Sequence, residues 1–141
     1  MGLGRRPKVA PILEFHMKKV LVIALAALSL GATGAVQAHG AKPAQYGGVV
    51  QTASDLQFEL VNKEGKLNLF VDDHDRKKSV AGATGKLTVL SGTEKKETAL
   101  VPGSANALIA TDNLALPAGA KAVATVTFPD GKTVTVRFAI K

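Results

Sequence analysis

From Leu56 to the C-terminus the apolar residues recur at every second position: Leu56, Phe58 and Leu60; Leu67, Leu69 and Val71; Ala124, Val126 and Phe128; Val134, Val136, Phe138 and Ile140. A helix buries one stripe with a repeat near 3.6, whereas a strand sends alternate side chains to opposite faces. This pattern therefore calls for half-buried strands and leaves no room for a long amphipathic helix. Turn chemistry falls between the runs, at Asn62–Gly65, at Ser91–Glu94 and at Pro129-Asp130-Gly131. An Asp-Gly pair between two alternating segments is a strong hairpin signal, so the last two strands are expected to pair directly. About eight short strands follow, near 48–53, 55–62, 66–72, 85–91, 95–101, 106–111, 121–128 and 132–140. Their regular spacing predicts an all-β fold, a small antiparallel β-sandwich that is Ig-like or barrel-like, over residues 48–141.

The N-terminal third has a different character. Met17-Lys18-Lys19, the apolar run Val20–Leu30 and the small-residue segment ending Ala35-Val36-Gln37-Ala38 have the order of a secretory signal peptide, 17–38. The run is about eleven residues long, against the roughly 20 that span a bilayer, so a cleaved leader and no membrane span in the mature chain are expected. Residues 1–16 match no targeting pattern and read as an extension from a start codon assigned too early. A cut after Ala38 makes His39 the first mature residue. Its free α-amine and imidazole Nδ1 can then close a six-membered ring on one metal ion, and an α-amine with an ordinary pKa of about 8 loses its proton readily. A cut after Ala35 or Ala41 would destroy that chelate. The stretch 39–47, rich in Ala, Gly, Pro and Lys, is expected to be a flexible arm unless a ligand fixes it.

Without residues 1–38 the chain is long enough for one core and too short for two. It carries 13 basic and 10 acidic residues, a balance that does not argue for nucleic acid. There is no cysteine, so neither a disulfide nor a thiol-attached lipid is expected. Both methionines, Met1 and Met17, precede the cut, which removes the thioethers that favour copper(I). Gly82-Ala83-Thr84-Gly85-Lys86 lacks the glycine spacing of a phosphate loop, with Leu87 where Ser or Thr must hold magnesium. No Gly-x-Ser-x-Gly elbow accompanies His74, so a hydrolase is not indicated.

The remaining chemistry sits in Asp72-Asp73-His74-Asp75, at the end of the Leu67–Val71 strand. If the pleat continues, Asp72 and His74 share a face while Asp73 and Asp75 point away. Folding His39 over that face would give three nitrogens and one oxygen, from His39, His74 and Asp72, with Asp75 in reserve. Such a set suits copper(II) and, less selectively, nickel, zinc or cobalt. The competing reading is a solvated loop of mixed charge. Tyr46, beside Gly47-Gly48, could stand as an axial ligand or simply pack.

His39-Gly40, Pro43, Tyr46-Gly47-Gly48-Val49, the strand Phe58–Val61 and Leu69–His74 resemble a group of small periplasmic heavy-metal-binding proteins, copper-type, related to the His-Gly-Gly segment of metal efflux pump adaptors. The similarity covers about 39–90. In that group a His commonly precedes the Gly-Gly pair, and here that position is Tyr46, which departs from a three-histidine site. His39 and the Asp72-x-His74 pair also resemble periplasmic copper-resistance β-sandwich proteins whose mature N-terminal His binds copper(II). The resemblance implies a periplasmic, non-enzymatic protein whose partners are a metal ion and a component of a metal efflux system. The alternative is a metal-free interaction module that docks on an envelope or adaptor protein through its strand edges.

Overall fold

The computed structural model describes residues 41–141 together with Gly2 and Gly4; the expected leader 17–38 and His39 lie outside the described residues. The described chain is all-β. Nine strands form one antiparallel sheet: β1 (Val49–Ala53), β2 (Leu56–Lys63), β3 (Lys66–Asp73), β4 (Arg76–Lys77), β5 (Thr84–Ser91), β6 (Glu94–Pro102), β7 (Ala107–Ala110), β8 (Lys121–Thr127) and β9 (Thr133–Ala139). Eight of these lie within a few residues of the strands expected from alternation. The ninth, β4, is two residues long.

The sheet runs β1-β2-β3-β7-β6-β5-β8-β9, with β4 paired to the end of β3. Two meanders, β1-β2-β3 and β5-β6-β7, are thus joined where β7 returns to β3. The final hairpin then docks on β5 through β8, and β8 pairs with β9 from Lys121↔Ala139 to Thr127↔Thr133. The end strands β1 and β9 lie against each other, so the sheet curls into a nearly closed barrel. Among the described residues no helix is long and apolar enough to cross a membrane.

Inside, the alternating residues form one core: Phe58 and Leu60 from β2, Leu69 and Val71 from β3, Val126 from β8, Phe138 from β9 and their neighbours. Ile140, beyond the end of β9, is only partly buried. Small and large side chains alternate across the rungs. Ala122 lies between Val89 and Phe138, and Ala124 between Leu87 and Val136, which keeps a narrow barrel filled without crowding.

Three successive hairpins turn at ten-residue intervals, at Ser54-Asp55, Glu64-Gly65 and His74-Asp75. In each pair both central residues have positive φ: 50° and 63°, 53° and 82°, 45° and 68°. That is the two-residue turn whose twist matches the right-handed twist of flanking strands. Only the middle pair contains glycine. Asp tolerates the left-handed region better than most non-glycine residues, and glycine's looser unfolded chain offsets part of any gain, so Asp55→Gly should raise the thermal midpoint by only about 1–2 °C. An unchanged or lowered midpoint would mean that the Asp55 side chain, not its backbone, matters at that turn.

Candidate functional site

The third of these turns carries the sequence cluster, and it corrects the pleat expected there. The strand stops at Asp73; His74 and Asp75 form the turn itself, and the chain doubles back so that Asp72 faces Lys77 and Asp73 faces Arg76. A two-residue turn rotates its side chains out of the strand's alternation, so Asp72 and His74 do not share a pleated face. His74 is 81% exposed at its side chain, and its Nδ1 lies 2.5 Å from Asp73 Oδ1. With that carboxylate accepting from Nδ1, Nε2 is left as the nitrogen able to take a metal.

Asp72 is 5% exposed. Its Oδ1 accepts from Asn106 Nδ2 at 3.1 Å, and the same nitrogen donates to the Val71 carbonyl at 3.1 Å and lies 3.3 Å from the Tyr46 hydroxyl. Burial pushes the Asp72 carboxyl above its ordinary range; the Asn106 bond acts against this, and nearby Glu59 adds to it. A group whose folded form favours the proton contributes stability below its unfolded pKa, near 4, and loses it as pH rises through the raised folded value. Asp72→Asn should therefore match the parent's stability near pH 3 and exceed it at neutral pH. A difference that instead shrinks from pH 3 to pH 7 would reverse this sign.

The stretch expected to be a flexible arm is tied down from Lys42 onward. Its anchor is Glu59, on the outward face of β2 yet 1% exposed because residues 45–48 lie over it. One carboxylate oxygen accepts from Gln45 N, and the other from Tyr46 N and Gly48 N, each at 2.8 Å. Three backbone N–H donors around one carboxylate satisfy a buried charge without a cation. Tyr46 stacks flat on Phe70 of β3, with ring centroids 3.8 Å apart. Gly48 permits the close approach, since a Cβ there would collide with the Leu60 carbonyl. Tyr46 is thus a packing residue with its hydroxyl beside Asn106.

Further along the arm, Lys42 N donates to Gln57 Oε1 at 3.1 Å, and its ammonium pairs with Asp75. These contacts border an open groove of about 650 Å³ between the Ser54-Asp55 turn, the His74-Asp75 turn and the arm. Asp55, Gln57, Asp72, His74 and Asp75 line it, and Gln57 Nε2 is buried without a partner. Among the described residues no three His, Cys, Asp or Glu side chains converge closely enough to hold a metal ion. The His74 and Asp72 proposed as ligands border one groove, and any complete site there needs a further donor. Sequence reasoning missed Glu59 and Asn106. The cue was present for Glu59, an acidic residue inside the strand Phe58–Val61; Asn106 sits in a loop and offers none.

Compared with known proteins, the chain matches no family model, no curated sequence and no solved structure.

Proposed function

We propose that this protein is exported to the periplasm and there binds a divalent metal ion, copper(II) ahead of nickel, zinc or cobalt, for sequestration or for delivery to an efflux system. The observation that carries the reading is the position of Lys42, tethered by Gln57 and Asp75 at the rim of the groove that His74 and Asp72 border. His39 is three residues upstream, and three residues reach at most about 10 Å. By chain length alone, a mature N-terminus at His39 would have the His74 turn within its reach. Its amine and imidazole supply two nitrogens, His74 Nε2 a third, and Asp72 or Asp75 an oxygen. Asp72 would coordinate through the oxygen that Asn106 does not engage, and Asp75 through the oxygen that Lys42 does not.

Copper titration of the exported chain tests this. One saturable copper(II) per chain is expected, with electron paramagnetic resonance reporting mixed nitrogen and oxygen donors, and binding weakens in acid because protons compete for the nitrogens. Mass spectrometry of the exported protein should return His39 as the first residue. Val36 or Lys42 there, or no saturable binding at micromolar copper, turns the reading to the metal-free docking module. Asp73→Asn should also weaken binding, by about tenfold, at the low end for a carboxylate that orients a metal-bound imidazole. Unchanged affinity in that variant would separate Asp73 from the site.

A further inference from the structure

We propose that the groove between the Ser54-Asp55 and His74-Asp75 turns binds a primary ammonium with a neutral carbonyl beside it, the chemistry of a peptide N-terminus or an amino-acid amide. The proposal concerns the metal-free chain and does not rest on the metal-binding reading. At about 650 Å³ the groove falls within the range of small-molecule sites, roughly 300–1,000 Å³. Its recognition groups come from one rung of the sheet, where Gln57 of β2 faces Asp72 of β3 on the outer side. Such cross-strand partners hold their Cβ atoms about 5 Å apart, so an amide and a carboxylate stand side by side on the groove wall.

Each of these groups is short of a partner. Gln57 Oε1 accepts from Lys42 N at 3.1 Å, and this fixes the amide, since turning it over would set its NH2 against an N–H. Nε2 is thereby held as a donor, buried and without an acceptor, an arrangement that a ligand oxygen would relieve. Asp72 is 5% exposed and lines the same groove. Asn106 engages one of its oxygens, and among the described residues nothing hydrogen-bonds to the other. Burial pushes its carboxyl up further than Asn106 and Lys77 pull it down, as expected of an anion short of a countercharge. An ammonium donating to the second Asp72 oxygen would supply that charge, and a carbonyl beside the ammonium would accept from Gln57 Nε2. A free amino acid brings a carboxylate instead, which Asp55, Asp72 and Asp75 around the groove repel, so the carbonyl has to be neutral.

The chain itself already places an ammonium at the rim. Lys42 sets its Nζ on Asp75 and its backbone N–H on Gln57. Both side chains of that ion pair are at least half exposed, which makes it readily displaced. Against three aspartates the single lysine leaves the groove anionic.

The test is a nuclear magnetic resonance titration of the chelator-treated chain at pH 7, where α-amines are mostly protonated, following the Gln57 side-chain amide. The probes are glycinamide, triglycinamide, glycine and ethylamine. Glycinamide should saturate at millimolar concentration and bind about tenfold tighter than glycine, which adds a repelled charge, and than ethylamine, which lacks the carbonyl. Gln57→Glu keeps the acceptor for Lys42 but loses Nε2, and should bring glycinamide down to the level of ethylamine. Asp72→Asn should weaken glycinamide and ethylamine alike, because the NH2 of the new side chain is left facing the ammonium. Lys42→Ala frees Asp75 and should tighten both about two- to fivefold, a gain that no loss of fold can produce. Triglycinamide binding as well as glycinamide assigns the site to peptide N-termini, and its exclusion to a small molecule; both outcomes support the shared chemistry. No saturation by glycinamide, equal binding of glycinamide, glycine and ethylamine, or parent-like glycinamide affinity in Gln57→Glu overturns the proposal. If Gln57→Glu does not fold, the preference of the parent for glycinamide over ethylamine decides the carbonyl contact alone. None of these readouts involves copper, so their failure leaves the metal-binding reading where it stood.

Discussion

Phe138→Ala should cost about 3–5 kcal/mol of folding stability, a large part of what a domain of this size has to lose. The ring is 2% exposed in the barrel interior. Its neighbour across the ladder is Ala122, with Val89 on the next strand. An alanine cannot swing into the space a lost ring leaves, so the cavity persists and the upper part of the range is expected. The thermal midpoint should fall on the order of 20 °C. Denaturant melts of the metal-free protein measure this. A loss under about 1 kcal/mol would mean that the barrel collapses around the site or that Phe138 is not in the core.

The second large effect concerns the first mature residue. On the proposed metal-binding reading, one residue added ahead of His39 converts the amine that would chelate into an amide while leaving every side chain in place, and should lower copper affinity at least tenfold, about 1.4 kcal/mol. His74→Ala should do similar damage, because it removes the only imidazole among the described residues. Neither change should move the thermal midpoint of the metal-free chain. His74 is exposed at a turn, and the added residue lies beyond the described strands. Parent-like binding in both variants would leave the docking-module reading in place of the metal one. A strand signal in circular dichroism that appears only with copper would overturn the separation of fold from site, since the core is complete without any proposed ligand.

Deleting the arm should matter more than a flexible segment would. Through Glu59, Phe70 and Asn106 the stretch from Lys42 to Gly48 covers the outer face of β2 and β3, so its loss exposes Phe70 and strips Glu59 of its three donors. A stretch of Ala, Gly, Pro and Lys carries no periodic signal, and here order comes from its backbone N–H groups, which every sequence possesses and which become informative only once an acceptor is opposite.

The strands and their inward faces were legible because burial on a sheet has a period of two that a single sequence displays: Phe58, Leu69, Val126 and Phe138 all point where alternation puts them. The hairpin at Pro129-Asp130-Gly131 was legible for a similar local reason, its Gly at φ 85°. The turn at His74-Asp75 was not, because neither residue is glycine or asparagine and the left-handed backbone is imposed by the pairing of Asp72 with Lys77 and Asp73 with Arg76. What only the tertiary structure decided is which polar residues meet. Glu59 beside residues 45–48, Asp72 against Asn106, and Lys42 on Asp75 join positions 11 to 34 residues apart. The sequence by itself determined alternating strands around one core, with a charged segment after Val71 and an unpatterned stretch before β1; closure into a barrel and the turn at His74-Asp75 came from the tertiary structure. The contacts that fold the arm over that turn depend on strand register and on the crossing of the 103–106 loop, and neither is written in any local pattern.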